Sequence, residues 1–275
     1  MILSVNGIKV HVRIWNKAAE QTIVMLHGFT GTVGTWEQVA SYLPNIRIIA
    51  IDLIGHGQTE APEDVSSYTM QAQIKLLEQT FIQLDLEQFV LLGYSMGGRV
   101  ALFYTVAYPK RVKQLILESA SPGLKTEEER AARRMSDEAL ANKIEQQGIK
   151  AFVETWENIA LFATQKTLPA PIQQAVREER LAQTEIGLAN SLRGMGTGAQ
   201  DELWSQLNNI DLPVTLITGS LDGKFCFIAQ KMIEELPNGE HVLVENTGHA
   251  IHVENPKQFA TIVEDALKRN KGVIQ

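Results

Sequence analysis

The sequence has little cysteine, no long apolar run and no excess of positive charge. Its 275 residues contain one cysteine, Cys226, which excludes an intrachain disulfide and a cysteine-rich metal site. We expect Cys226 to be a small buried apolar residue. No run of about 18 apolar residues is present, and the N-terminal residues do not resemble a signal peptide. These absences predict a cytoplasmic protein without a membrane-spanning segment.

The charge and composition narrow the class of partner. The formal net charge is −7, so the chain has no long-range attraction for nucleic acid or anionic membranes. Hydrophobic residues make up 44% and charged residues 21% of the chain, as in ordinary globular proteins. The length suits one α/β domain with a substantial insertion, and we expect disorder only at the tail, residues 271–275.

Short apolar runs predict a mostly parallel sheet. Residues 2–5 and 8–15 are β-rich and are separated by Asn6-Gly7, which is a strong hairpin signal and predicts antiparallel strands at the start. Unbroken apolar runs are typical of strands that are covered on both faces, and helical segments separate them here. The predicted strands of this type are 22–26, 47–53, 89–93, 112–117, 214–218 and 241–245.

Helical periodicity fills most of the remaining chain. Residues 68–84, 97–108 and 256–267 are predicted to be helices between or after the strands. From about 122 to 209 no strand pattern occurs, and we predict helices over 126–147, 149–158, 171–180 and 185–193. Insertions at the carboxyl ends of strands cover the ligand-binding crevice of such sheets, so we interpret residues 122–209 as a lid on a single domain, 1–275.

A Gly-x-Ser-x-Gly motif at residues 93–97 supplies a candidate nucleophile, Ser95. The motif follows an apolar strand and precedes a helix, which is the context of a nucleophile elbow. A serine hydroxyl needs a base, and His249 lies in a loop after the last predicted strand, where that base is expected. His252 is the nearest rival, and the other four histidines are assigned to strands (His11, His241) or to glycine-flanked loops that could line the site (His27, His56).

Asp222 is the candidate carboxylate that orients the base. It follows the strand at 214–218, and the resulting order along the chain is Ser, Asp, His. Asp52 also ends a strand, but it precedes the serine and is better explained as a loop-structuring residue. The backbone N–H groups of Phe29 and Met96 are predicted to form an oxyanion hole. Such a hole holds a tetrahedral oxyanion or an enolate, so the triad alone does not decide between hydrolysis and proton abstraction.

Arginines are concentrated near the predicted site although the chain is acidic. Arg99 lies in the first turn of the helix after Ser95, where its charge opposes the helix dipole. The predicted lid also carries arginines, namely Arg130, Arg133, Arg134, Arg177, Arg180 and Arg193. The guanidinium group of arginine can bind a carboxylate through two hydrogen bonds, so Arg99 and the lid arginines together indicate a substrate with several carboxylates.

These motifs resemble the α/β-hydrolase family over nearly the whole chain. The resemblance is carried by residues 27–29 (His-Gly-Phe), 52–57, 93–99, 219–222 and 248–249. The chain more narrowly resembles a family of menaquinone-pathway (vitamin K2) lyases, at Tyr94, Arg99, residues 131–137, Trp156 and residues 191–198. The family's fold is an α/β-hydrolase fold, a mostly parallel eight-stranded sheet with antiparallel N-terminal strands and a helical lid.

The narrower resemblance implies a carbon–oxygen lyase. Its reaction eliminates pyruvate from 2-succinyl-5-enolpyruvyl-6-hydroxy-3-cyclohexene-1-carboxylate and gives 2-succinyl-6-hydroxy-2,4-cyclohexadiene-1-carboxylate. Ser95, made basic by His249 and Asp222, abstracts the ring proton beside the succinyl ketone, and the oxyanion hole holds the enolate. No metal and no organic cofactor is implied, and the partner is a small polycarboxylate.

The resemblance also assigns binding residues. It implies that Arg99, Arg133 and Arg180 bind carboxylates and that Tyr94 and Trp156 line the pocket. The register in the lid could slip by a turn, so that Arg130 or Arg134 replaces Arg133 and Arg177 replaces Arg180.

Two other functions stay open. The same triad could serve a carboxylesterase or a C–C bond hydrolase, for which an apolar lid interior is expected. The chain could also be a non-catalytic homologue that senses a ligand, for which an exposed apolar lid patch is expected. We expect a monomer or a weak homo-oligomer.

Overall fold

A computed structural model describes the backbone of residues 1–271 and the side chains of residues 1–269. The disorder expected for the tail, 271–275, lies outside the described residues except at Lys271, where the last helix ends. No helix in the described part of the chain is long and apolar enough to cross a membrane.

Eight strands form one sheet in the order β1-β2-β4-β3-β5-β6-β7-β8. The two pairings of β2, with β1 and with β4, are antiparallel, and all others are parallel. The predicted fold class is therefore confirmed. The strands are β1 (Ile2–Val5), β2 (Ile8–Trp15), β3 (Thr22–Leu26), β4 (Arg47–Ile51), β5 (Phe89–Tyr94), β6 (Val112–Glu118), β7 (Val214–Gly219) and β8 (Gly239–Val244).

Helices cover both faces of the sheet. Along β3, Val24 packs in one apolar cluster with α2 and α3, while Ile23 packs in the opposite cluster with α1 and α9. This alternation explains why the parallel strands are apolar at every position. The helices are α1 (Glu37–Ser41), α2 (Met70–Gln83), α3 (Met96–Ala107), α4 (Glu127–Trp156), α5 (Ala170–Leu181), α6 (Glu185–Met195), α7 (Gly223–Ile233), α8 (Ile251–Glu254) and α9 (Pro256–Lys271).

Three of these helices, α4 to α6, lie between β6 and β7 and have a small apolar core of their own. The element α4 consists of two helical segments joined at Gly148, where φ is +80° and ψ is 167°, so the break predicted between the helices 126–147 and 149–158 is present. Phe29 of the sheet domain packs against this core. We therefore propose residues 122–209 as one lid within a single domain.

The helix α7 was not predicted. It begins directly after Asp222, whose carboxylate accepts a hydrogen bond from the N–H of Phe225 at 3.3 Å and caps the first turn. Short 3-10 helices at Val33–Trp36, Val65–Tyr68, Ala160–Thr167 and Trp204–Asn209 were also not predicted. These segments are too short to show a helical periodicity in sequence.

Candidate active site

Ser95 lies at the sharp turn between β5 and α3. Its backbone has φ 50° and ψ −106°, a conformation that non-glycine residues rarely adopt. The turn needs close contact with β3, because a Cβ atom at Gly97 would lie 2.3 Å from the carbonyl oxygen of Leu26. The glycine therefore lets the helix N-terminus approach the sheet, and Ser95 projects from the sheet edge into a cavity.

The structure brings Ser95, His249 and Asp222 together from three loops. The Nε2 atom of His249 lies 3.0 Å from the Ser95 Oγ, and its Nδ1 lies 2.7 Å from the Asp222 Oδ2. Both His249 and Asp222 are buried. The Asp222 carboxylate accepts a hydrogen bond from Nδ1–H of His249, which leaves Nε2 free to accept the proton of the serine hydroxyl. The arrangement can therefore generate a basic or nucleophilic serine oxygen.

Phe29 and Met96, whose backbone N–H groups are the candidate oxyanion hole, line the same cavity as Ser95. Over residues 1–271, neither N–H donates to a protein acceptor. The loop before Phe29 lies against the nucleophile, since a Cβ atom built at Gly28 would be 3.6 Å from the Ser95 Cβ. Met96 begins α3, so its N–H is one of the unpaired donors of a helix N-terminus. Two unpaired donors beside Ser95 can stabilise an oxyanion or an enolate.

A cavity of about 630 Å³ opens over the triad, between the sheet edge and the lid. Tyr94, Trp156 and Phe162 supply aromatic walls, and burial raises the pKa of the Tyr94 phenol well above its usual range. A larger open cleft of about 960 Å³ lies beside α5, but none of the triad residues lines it. The charged residues lining the triad cavity are Arg99, Lys125, Glu129, Arg133, Asp137 and Lys224.

Two of the three predicted carboxylate-binding arginines line this cavity. Arg99 is 9% exposed, and its Nη1 donates to the carbonyl oxygen of Met195 at 2.8 Å and to the side chain of Gln200. Burial and the nearby charge of Arg133 lower the pKa of Arg99 to about 10, so it is still a cation at neutral pH. Arg133 lies on the lid helix α4 and reaches the cavity from above.

Arg180 does not line the triad cavity. Its guanidinium stacks on the ring of Phe162 at 4.5 Å and donates to Gln165 at 3.0 Å. Phe162 itself lines the cavity, whereas Arg180 lines a smaller space beside it, together with Phe162 and Tyr94. The alternative arginines also point elsewhere: Arg130 and Arg134 bond to Glu127, and Arg177 bonds to Glu157.

Several other predictions about polar residues can be compared with the structure. Asp52 structures its loop, as predicted, by accepting hydrogen bonds from the N–H groups of Val33 (2.6 Å) and Gln58 (2.9 Å). The suggestion that His27 and His56 line the site is wrong, because both are buried and neither lines the cavity. Cys226 was expected to be buried but is only half-buried, and its Sγ donates to the carbonyl oxygen of Gly219 at 3.2 Å.

His252, the rival base, belongs to a different chain of hydrogen bonds. Its Nδ1 lies 2.8 Å from the carboxylate of Glu118, and its Nε2 lies 2.9 Å from the hydroxyl of Thr35. Both His252 and Glu118 are buried, and the His252 ring contacts Tyr94 with ring centroids 4.5 Å apart. Glu118 was not singled out in the sequence, where it is one acidic residue at the end of an apolar strand.

The buried imidazole of His56 predicts a loss of stability in acid. Burial, and secondly the neighbouring His27, lower the pKa of His56 to about 3. Between this value and about 6.5 the unfolded chain binds the extra proton, so the free energy of unfolding falls as the pH falls. We expect His56→Gln to reduce this pH dependence in urea unfolding measured from pH 4 to pH 8. If the free energy of unfolding changes with pH equally in His56→Gln and in the wild type, the folded protein already binds a proton at His56.

Comparisons with known proteins agree with this geometry. The profile of the alpha/beta hydrolase fold family matches residues 21–256. A putative 2-succinyl-6-hydroxy-2,4-cyclohexadiene-1-carboxylate synthase of Bacillus subtilis (strain 168) is 45% identical over 262 residues, which cover 95% of this chain and 96% of the relative. The chain belongs to the α/β-hydrolase fold family and, within it, to the family of these synthases.

Further members of the synthase family support the assignment. The synthase of Enterobacter sp. (strain 638) is 31% identical over 246 residues, covering 90% of this chain and 91% of the relative. The structure of MenH from S. aureus superimposes with a TM-score of 0.90 at 36% identity and covers 95% of this chain and 98% of the other. An enol-lactonase from Burkholderia xenovorans LB400 (TM-score 0.85, 98% and 100% covered) is 19% identical, which shows a shared fold alone.

Proposed function

We propose that this chain is a lyase that eliminates pyruvate from 2-succinyl-5-enolpyruvyl-6-hydroxy-3-cyclohexene-1-carboxylate and yields 2-succinyl-6-hydroxy-2,4-cyclohexadiene-1-carboxylate. The observation that carries the proposal is that two guanidinium groups, of Arg99 and Arg133, line the same cavity as the hydroxyl of Ser95. The carboxylates of such a substrate can pair with these two cations, whereas a simple ester has no negative charge to pair with them. Identity of 45% to a relative named for this reaction agrees with the proposal.

The proposed mechanism begins with proton transfer. His249 accepts the hydroxyl proton of Ser95, held by the contacts of 3.0 Å and 2.7 Å in the triad. The serine oxygen then takes the ring proton beside the succinyl ketone, and the N–H groups of Phe29 and Met96 stabilise the resulting enolate. When the enolate collapses, a double bond forms between the carbon that lost its proton and its ring neighbour, the existing ring double bond shifts by one position, and the C–O bond to the enolpyruvyl group breaks. The leaving group departs as the enolate of pyruvate. It takes up on its methylene carbon the proton that His249 accepted, which gives pyruvate and restores the triad.

The binding residues orient the ring for this step. We assign Arg99 and Arg133 to two carboxylates of the substrate, and the rings of Tyr94 and Trp156 to the walls of the cavity. Arg180 contacts a third carboxylate only after the ring of Phe162 turns aside. We further propose that the partner is this small polycarboxylate, that the protein is cytoplasmic, and that it is a monomer or a weak homo-oligomer.

Release of pyruvate by the purified protein tests the function. We expect stoichiometric pyruvate, measured with lactate dehydrogenase and NADH, together with the absorbance of a conjugated diene in the product. A panel of aryl acetates run in parallel should be cleaved slowly, because these esters do not engage the arginines. Rapid ester cleavage without pyruvate would instead identify a carboxylesterase that uses the same triad.

A further inference from the structure

Asp137 of the lid is an acidic residue in a cavity that we assign to an anionic substrate. It is 4% exposed and lines the same cavity as Ser95. One carboxylate oxygen accepts a hydrogen bond from Nε of Arg133 at 2.8 Å, while the other is buried and has no hydrogen-bond partner among residues 1–269. A buried carboxylate with an unsatisfied oxygen is costly, so its position calls for an explanation.

The contact with Asp137 restrains the guanidinium of Arg133. That side chain is 41% exposed, so without a partner it has the freedom of a surface arginine. The Asp137 carboxylate accepts a hydrogen bond from Nε, the guanidinium nitrogen that is nearest to the backbone of Arg133. Within residues 1–269, the two terminal amino groups, Nη1 and Nη2, donate no hydrogen bond. They form the fork that binds a carboxylate through two parallel hydrogen bonds.

Asp137 also supplies the charge that balances two neighbouring cations. The positive charges of Arg99 and Arg133 repel each other, which lowers the pKa of Arg99. The nearby charge of Asp137 acts in the opposite direction and raises that pKa. Without this carboxylate, the repulsion would drive the more exposed guanidinium, that of Arg133, towards solvent. The backbone leaves room for the carboxylate at Gly196, where a Cβ atom would lie 2.5 Å from its unpaired oxygen.

We propose that Asp137 is a positioning residue, which holds the fork of Arg133 in the cavity before the substrate binds. The inference rests on the proposed function, since it assumes that Arg133 receives a carboxylate. Preorganised side chains lose less entropy on binding, so the benefit is expected in affinity more than in the chemical step.

The test compares Asp137→Ala with Asp137→Asn. We expect Asp137→Ala to raise the KM for pyruvate release about tenfold, with kcat changed less than about threefold, in line with the entropy of one freed side chain. Asparagine keeps an oxygen that can accept the Nε proton, so Asp137→Asn should restore part of the lost affinity. Glu138→Ala is the matched control, because the neighbouring carboxylate pairs with Arg193 at an exposed site and should leave KM unchanged.

A double-mutant cycle separates positioning from a general structural effect. In an Arg133→Ala background, Asp137→Ala should raise KM by less than about twofold, because Asp137 acts through Arg133. An equal loss in both backgrounds, or a loss in kcat alone, would overturn the inference. Thermal unfolding of each variant shows whether the fold is intact, and Asp137→Asn provides the comparison if the alanine variant does not fold.

Citrate binding keeps this test independent of the reaction. Citrate has three carboxylates and does not react, so its dissociation constant can be measured by calorimetry even if no pyruvate is released. We expect Asp137→Ala to weaken citrate binding about as much as it raises KM. Equal citrate affinity in wild type and Asp137→Ala, or no affinity in the wild type, would overturn the role of Asp137. Missing pyruvate with normal citrate binding would overturn only the proposed function.

Discussion

Replacing Ser95 with alanine should lower the kcat of pyruvate release by about 10³-fold or more, the scale of losses when a triad member is removed. The variant loses the hydroxyl that lies 3.0 Å from His249 Nε2, so no serine oxygen remains to take the ring proton. KM should change little, because Arg99 and Arg133 remain in the cavity. The measurement is steady-state kinetics with the coupled pyruvate assay.

The fold should tolerate this substitution. Alanine meets the same backbone strain as serine at φ 50°, and among the described side chains the Ser95 hydroxyl forms a hydrogen bond with His249 alone. Thr35→Ala is the matched control. The Thr35 hydroxyl forms a hydrogen bond with the imidazole of His252, which forms a hydrogen bond with the carboxylate of Glu118, so this variant also removes a hydroxyl from a hydroxyl–imidazole–carboxylate chain. We expect its kcat to stay within about threefold of wild type, since Thr35 does not line the triad cavity. A Ser95→Ala variant with a tenth or more of wild-type kcat would contradict the proposed base.

Local sequence signals were sufficient to nominate the three residues that we propose as the triad. The elbow at Ser95 needs a strand, two glycines and a helix within a short segment, and this pattern is visible without any tertiary information. Asp222 and His249 follow from topology, because the loops after parallel strands meet at one edge of the sheet. The structure brings the three side chains to hydrogen-bonding distance at that edge.

The lid could not be predicted to the same detail. Arg130, Arg133 and Arg134 lie within about one turn and a half of a helix that is charged on most sides, so the sequence does not say which of them faces the cavity. That choice depends on how α4 rotates as its apolar residues dock on α6 and on Phe29. The position of Arg180 against Phe162 depends on a short 3-10 helix, Ala160–Thr167, that has no sequence signature.

The roles of buried carboxylates were also outside the reach of the sequence. Asp137 is one of many acidic residues on a charged helix, and only its burial beside Arg133 distinguishes it. Glu118 ends an apolar strand, but its partner His252 is distant in sequence. Pairings of this kind depend on long-range packing, which no local pattern encodes.

The buried Arg99 leads to the second prediction, that Arg99→Met lowers kcat/KM for pyruvate release by about 10²-fold. Losing one partner of a buried, hydrogen-bonded charge pair costs about 2–5 kcal/mol, and the substrate carboxylate is the partner left behind. Methionine is unbranched and flexible, so it fills the space of the aliphatic part of the arginine without a charge. Arg99 lies in the first turn of α3, where its positive charge opposes the helix dipole. Binding of an anion therefore explains an arginine at this position better than a contribution to the stability of the helix does.

Stability and binding can be separated in the same variant. Arg99→Met leaves the carbonyl oxygen of Met195 unpaired, which costs about 1–3 kcal/mol, but it also removes a buried cation that Arg133 repels. We therefore expect a small change in unfolding temperature beside a large change in kcat/KM. Arg134→Met is the control, because Arg134 also donates to a backbone carbonyl, that of Gly198 at 2.9 Å, but points away from the cavity. If both variants keep kcat/KM within about threefold of wild type, the cavity does not use Arg99 to hold a carboxylate, and an uncharged substrate becomes the better match for this triad.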